Sequence, residues 1–141
     1  MTEVEATARR FVADVWNGNR EDSAYDLIAA DCPGLGGTGP DAVLAWHRDR
    51  RAAFPDLRYK IVDLVASGGR VALHWRAAGT QLGRFGPVPP TGQVVSYSGA
   101  TFLRFDAAGL ISDVWSVNEL FQLLQQLGVE LLPPLTAGGD G

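Results

Sequence analysis

The sequence contains little of what would build a disulfide framework, a metal site or a membrane span. Cys32 is the one cysteine among 141 residues, and His47 and His74 are the only histidines. An internal disulfide is therefore excluded, and a zinc site, which takes about four cysteine or histidine ligands, is not expected. No apolar run approaches the roughly 20 residues that cross a bilayer, so we expect no membrane association.

An excess of positive charge is also absent. The chain carries 16 acidic and 12 basic residues, a formal charge of −4, which would repel the phosphates of a nucleic acid. Its one dense basic cluster, residues 48–51, is predicted to be a solvated helix face. The N-terminal segment 1–16 lacks the basic start and unbroken apolar stretch of a signal peptide, so we expect a cytoplasmic protein.

The composition is that of a single globular domain. Hydrophobic residues make up 46% of the chain and charged residues 20%, and this length can bury about two-thirds of the unfolded surface. We assign residues 1–132 to one domain. The proline- and glycine-rich segment 133–141 is predicted to be a disordered tail.

Apolar residues recur at helical spacing in the first third of the chain. The pattern predicts helices over 3–16, 22–28 and 40–54, the last one ended by Pro55. Residues 32–40, rich in glycine, predict a loop that is either a plain connector or a lid over a pocket.

After Pro55 the apolar period changes from that of a helix to that of a strand. Alternation predicts strands over 57–64, 71–78, 94–105 and 110–117, and the leucine stripe of 119–127 predicts a closing helix. These elements indicate an α+β fold with an antiparallel sheet covered by helices on one face.

Three segments carry a family resemblance: AFPDLRYKIVDLVASGGRVALHW (53–75), GPVPPTGQ (86–93) and LISDVWSVNELFQLLQQLGV (110–129). Together they resemble the SnoaL-like group of the nuclear transport factor 2-like (NTF2-like) superfamily, over residues 7–129. The resemblance implies a cone-shaped α+β barrel, in which a curved mixed or antiparallel sheet wraps around N-terminal helices and an apolar pocket. It also implies an aromatic polyketide as substrate, and cyclase or hydroxylase activity.

The resemblance places serine where the cyclases need a carboxylate. Their general acid/base, an aspartate on the last strand, falls on Ser116, and two histidine positions fall on Gln81 and on Thr101 or Phe102. A serine hydroxyl without a neighbouring base cannot exchange protons near neutral pH as a tuned carboxylate does. We therefore predict a hydroxylase-like tailoring protein for a polycyclic aromatic substrate. The alternatives are a cofactor-independent aldol cyclase with relocated acid/base residues and a non-catalytic binder of hydrophobic metabolites.

The catalytic candidates are His47, Arg50, Ser116 and Glu119. His47 and Arg50 lie three residues apart on one side of the third helix, suited to acid/base work and anion stabilisation. A helix rotated by one residue would instead turn Trp46 inward and His47 outward, and Glu119 could simply cap the last helix. The substrate-binding candidates, whose aromatic members could also be plain core, are Trp16, Tyr25, Trp46, Phe54, Gln81, Phe85, Tyr97, Thr101 and Val114.

No glycine-rich phosphate-binding motif follows a strand, and we expect no bound cofactor. Oxygen chemistry would then rely on an electron-rich substrate or on a reduced cofactor delivered by a partner reductase. The resemblance also implies a homodimer formed through the sheet faces. The strand period places Trp115 and Asp113 on the face opposite Val114 and Ser116, where the indole could serve such an interface.

Overall fold

The computed structural model describes residues 2–18 and 20–130, and the tail predicted for residues 133–141 lies outside them. The helices are α1 (Glu3–Arg10), which continues into a π-helical segment (Phe11–Asn17), α2 (Glu21–Leu27), α3 (Gly39–Ala53) and α4 (Leu120–Gln126). The strands are β1 (Pro33–Gly34), β2 (Gly37–Thr38), β3 (Arg58–Ser67), β4 (Arg70–Thr80), β5 (Val94–Phe105) and β6 (Ile111–Asn118).

The four long strands form one curved antiparallel sheet in the order β3-β4-β5-β6. The predicted α+β class and the four predicted strands are therefore confirmed. The curved sheet wraps around the N-terminal helices as expected, and the cone stays open, because β3 and β6 are the two edges of the sheet and do not pair with each other. The helices cover the concave face of the open sheet.

The alternation of β4 and β5 separates a buried concave face from an open convex one. Inward-facing side chains of these strands are almost fully buried: Val71, Leu73, Trp75, Ala77, Val95, Tyr97, Thr101 and Leu103. Trp75 lies opposite Gly99 in the strand register, and a Cβ at Gly99 would overlap its indole ring. A glycine is therefore needed at this position for the Trp75 ring to lie across β5.

The first helix departs from its predicted form. The pattern predicted one helix over 3–16, but the chain changes to π-helical winding at Phe11. Bonding from i to i+5 brings Phe11 and Trp16, five residues apart, into edge-to-face contact at 5.6 Å between ring centroids. Asn17 then ties the end of the segment to β3, because its side chain exchanges two 2.8 Å hydrogen bonds with the backbone of Tyr59.

The glycine-rich loop folds as a small hairpin. β1 and β2 pair around a two-residue turn in which Leu35 and Gly36 both have positive φ, 54° and 83°. Such a conformation is uncommon for leucine and indicates that the surroundings hold it. At Gly34 a Cβ would meet the Val114 carbonyl oxygen at 2.5 Å, so the hairpin packs directly against β6.

No helix within residues 2–18 and 20–130 is both long and apolar enough to cross a bilayer. The cytoplasmic location stays a prediction. In the same part of the chain, no three His, Cys, Asp or Glu residues converge in a way that could hold a metal ion. Cys32 is a buried free thiol, and burial raises its pKa to about 11, so it stays protonated near neutral pH.

Candidate functional site

The π-helical segment, the β1–β2 hairpin and α3 close off a cavity against the concave face of the sheet. The residues that line it are Phe11, Trp16, Leu35, Trp46, His47, Tyr59, Trp75, Thr101, Val114, Ser116 and Asn118. Its volume is about 20 Å³, room for about one water molecule. A planar polycyclic ligand can therefore enter only if part of this wall moves.

The last strand presents its polar residues to the cavity as the strand period predicts. Val114, Ser116 and Asn118 line the cavity, whereas Trp115 points to the convex face and is 55% exposed. The sequence did not decide which face of β4 is internal. The structure turns Trp75 inward and leaves His74 and Arg76 exposed.

A short chain of hydrogen bonds ends at Ser116. The Trp75 Nε1–H donates to Thr101 Oγ1 at 3.0 Å, and the Thr101 and Ser116 hydroxyls lie 2.7 Å apart. Thr101 is fully buried, and among residues 2–18 and 20–130 Ser116 is the one hydrogen-bond acceptor found for its hydroxyl proton. Because buried polar groups are almost always paired, we infer that Thr101 donates to Ser116. The Ser116 proton is then free to point into the cavity.

Two further polar atoms of the cavity wall are buried without a hydrogen-bond partner in the described part of the chain. They are the Trp16 Nε1–H and the Tyr59 hydroxyl. The Tyr59 hydroxyl comes near Tyr97 without reaching hydrogen-bond geometry, and burial raises its pKa above the ordinary value. Leaving such groups unpaired costs about 1–3 kcal/mol each, so a ligand oxygen that pairs with them gains in affinity.

His47 is a neutral imidazole inside this wall. It is 5% exposed and packs against the rings of Trp16, Trp46 and Tyr59, at 4.9–6.1 Å between centroids. Burial, aided by the charges of Arg51 and Arg50, lowers its pKa to about 3. The sequence left open whether His47 or Trp46 faces the inside of the protein. In the structure both side chains line the cavity.

Arg50 lies behind the Trp46 ring, one helical turn further along α3. Its guanidinium stands over Trp46 at 4.5 Å and over Phe85 at 5.1 Å, and it donates to the Tyr97 hydroxyl at 2.9 Å. It is 9% exposed. None of the ion pairs found among the described residues involves Arg50.

The other predicted site residues lie outside the cavity. The Glu119 carboxylate accepts the Ser98 N–H at 3.1 Å, and Tyr25 is 56% exposed and donates to Asp41. Gln81 is fully buried but binds Val88 and Thr91, and so holds the loop between β4 and β5. Phe54 packs in the core against Phe85, 5.5 Å away between ring centroids.

Five lining residues were not among the predicted ones: Phe11, Leu35, Tyr59, Trp75 and Asn118. Asn118 lies two residues after Ser116 on β6 and so faces the same side of the sheet, which means that the strand period could have identified it. Tyr59 and Trp75 could be identified only by knowing which face of β3 and β4 is internal, and the sequence did not decide this. Phe11 and Leu35 depend on the π-helical winding and on a left-handed turn, which the apolar pattern does not reveal.

An open, curved antiparallel sheet whose concave face holds an aromatic cavity under helices defines an NTF2-like domain. The family model for SnoaL-like polyketide cyclases matches residues 6–127, and the chain belongs to this family. No curated protein sequence matches it significantly.

Solved structures with this fold include three from Streptomyces. AclR of Streptomyces galilaeus, a proposed hydroxylase, is 28% identical with a TM-score of 0.79, covering 94% of this chain and 85% of its own. IdmH of Streptomyces antibioticus, a proposed polyketide cyclase, is 26% identical with a TM-score of 0.78, covering 91% and 100%. TsrD of Streptomyces laurentii, at 22% identity, has a TM-score of 0.80 over 89% and 95% and shows the likeness of fold alone.

The low pKa of His47 predicts an acid-sensitive fold. The unfolded chain takes up a proton at His47 below its ordinary pKa of 6.5, whereas the folded chain does so only near 3. Between these values the unfolded state binds more protons, so stability falls as the pH falls. Through His47 alone, the free energy of unfolding is therefore about 2 kcal/mol lower at about pH 5 than at about pH 8.

Urea unfolding at both pH values measures this effect. On acidification, we expect the free energy of unfolding of His47→Gln to fall by about 2 kcal/mol less than that of wild type. The control is His74→Gln, altered at the exposed histidine, whose free energy of unfolding should fall as much as that of wild type. Equal losses in His47→Gln and wild type would mean that His47 is not held neutral by the fold.

Proposed function

We propose that this chain binds a polycyclic aromatic polyketide in the cavity and serves as a hydroxylase-like tailoring protein. The observation that carries the proposal is the set of lining residues, of which only His47 and Tyr59 are titratable. The pKa of His47 lies far below neutrality and that of Tyr59 is raised, so neither exchanges protons readily near pH 7. Ser116 stands where an aldol cyclase would carry its carboxylate. The likeness to AclR supports the same choice.

The lining residues suit binding and orientation of a phenolic ring. The Trp16 Nε1–H and the Ser116 hydroxyl can donate to a ligand oxygen, and the neutral His47 ring can accept a hydrogen bond from a phenol. The rings of Trp46, Tyr59 and Trp75 supply apolar faces for stacking. In a mostly apolar cavity these few polar contacts fix the orientation of the ligand.

Hydroxylation needs electrons that the lining side chains do not provide. One atom of dioxygen enters the ring and the other leaves as water, which consumes two electrons and two protons. We propose that a partner reductase delivers the electrons as a reduced cofactor. A binder of hydrophobic metabolites is the second candidate, because the cavity offers hydrogen-bond donors and apolar surface without a group that titrates near pH 7.

Isotopic labelling distinguishes hydroxylation from cyclisation. The purified protein is incubated with a hydroxyanthraquinone whose carbonyl-bearing side chains can close by an intramolecular aldol reaction, a reductase with its reduced cofactor, and labelled dioxygen. We expect a product that gains one labelled oxygen atom faster than in the protein-free control. An aldol product without added oxygen would overturn the proposal in favour of a cyclase, and binding without turnover would favour the second candidate.

Variants of β6 extend the same assay. Ser116→Ala removes at most one hydrogen bond to the ligand, so we expect about a tenfold decrease in rate or affinity, or about 0.5–1.5 kcal/mol. Ser112→Ala, on the same strand but outside the lining residues, is the matched control and should match wild type. A thousandfold loss in Ser116→Ala would show that this hydroxyl takes part in the chemistry itself.

We also propose that two copies of the chain pack through their convex sheet faces. Trp115 and Phe102 form an exposed aromatic pair, 5.5 Å apart and 55% and 48% exposed. They line a groove that also presents Arg70, Arg104 and Asp113. A face with both signs of charge around an apolar centre can complement itself across a two-fold axis, which suits a second copy.

Light scattering tests the oligomeric state at micromolar concentration. We expect a dimer for wild type and a monomer for Trp115→Arg, which places a charge in the apolar centre of the face. Leu82→Arg is the control, because Leu82 is equally exposed but lies outside the sheet. A monomeric wild type would contradict the proposed interface.

A further inference from the structure

Arg50 is a buried cation whose charge is not balanced by an ion pair. It is 9% exposed, and the ion pairs found within residues 2–18 and 20–130 use Arg10 and Arg48 instead. Burying a charge without a partner is costly, and removing water from a guanidinium is offset only in part by stacking on aromatic rings. The fold therefore retains a cation that structural needs alone do not explain.

The guanidinium has hydrogen-bonding capacity left over. It has five N–H donors, of which the structure shows one in use, on the Tyr97 hydroxyl. The neighbouring Arg51 differs, because its Nη2 donates to the carbonyls of Val15 and Trp16 and so fixes the end of the π-helical segment. Arg50 thus keeps four N–H donors for which residues 2–18 and 20–130 show no partner.

The Arg50 guanidinium lies next to the cavity. The Trp46 ring that it stacks on is part of the cavity wall, and Tyr97, its hydrogen-bond partner, lies beside Tyr59. Its charge also acts on two lining residues, since it contributes to the low pKa of His47 and acts on that of Tyr59. A ligand that displaces the Trp46 ring would reach the guanidinium while its aromatic part stays in the cavity.

We propose that Arg50 receives the carboxylate of an aromatic acid whose rings occupy the cavity. This inference rests on the proposed function and names the class of ligand. A planar guanidinium matches a carboxylate in a two-point contact. The guanidinium carries a single positive charge, which one carboxylate balances.

The test compares an acid with its neutral ester. Quenching of tryptophan fluorescence measures the affinity for anthraquinone-2-carboxylate and for its methyl ester. We expect wild type to prefer the acid by roughly ten- to a hundredfold, the range of charge-assisted hydrogen bonds. Arg50→Met should abolish this preference and keep most of the affinity for the ester, and Arg50→Lys should keep part of the preference.

Arg48→Met is the matched control, because Arg48 lies on the same helix but is exposed and paired with Glu21. It should retain the full preference for the acid. Equal affinity of wild type for acid and ester would overturn this inference and leave the proposed function standing, whereas binding of neither would count against both. Loss of the preference in Arg48→Met would overturn it as well, by showing a general effect of surface charge.

Discussion

The candidate site depends on how the Trp75 indole packs inside the protein. Gly99 on the neighbouring strand leaves room for the ring to lie across the sheet, and Thr101, two residues further on, accepts its Nε1–H. Thr101 thereby uses its own proton on Ser116, so the last strand offers a donor to the cavity. The Trp16 ring packs edge-to-face against the Trp75 ring, 6.0 Å away between centroids, and adds to the aromatic wall. Strand register, one glycine and one hydroxyl together determine which polar groups face a ligand.

The electrostatics of the interior follow from an uneven distribution of charge. The chain as a whole is acidic, yet among the described residues the buried ionisable side chains around the cavity are His47, Arg50, Tyr59 and Tyr97. His47 responds by staying neutral, whereas a guanidinium cannot give up its proton and stays charged. The result is an apolar cavity with hydrogen-bond donors and an adjacent positive charge. This arrangement favours binding of a planar, oxygen-bearing ligand and gives little support to proton transfer near pH 7.

The sequence predicted most of the elements and about half of the site. The family resemblance pointed to Ser116 and to Thr101 or Phe102, and strand alternation then grouped Val114 with Ser116 on one face of β6, because a half-buried strand repeats every two residues. Glu119 and Tyr25 were predicted as site residues from their place along the chain, but a backbone N–H and Asp41 hold them elsewhere. The π-helical turn at Phe11, the left-handed Leu35 and the unclosed sheet arise from tertiary packing. The spacing of apolar residues in the sequence does not indicate any of these three features.

A ligand site on the concave side of the sheet is the central claim, and the four tryptophans allow a direct measurement of it. Each indole N–H gives its own signal in a nitrogen–proton NMR spectrum. On titration with anthraquinone-2-carboxylate we predict that the Trp16 signal moves most, because its Nε1–H is buried and gains an acceptor. The Trp46 signal should move with it, while that of Trp115, on the convex face, stays in place. A shift confined to Trp115 with Trp16 unchanged would contradict a site inside the sheet.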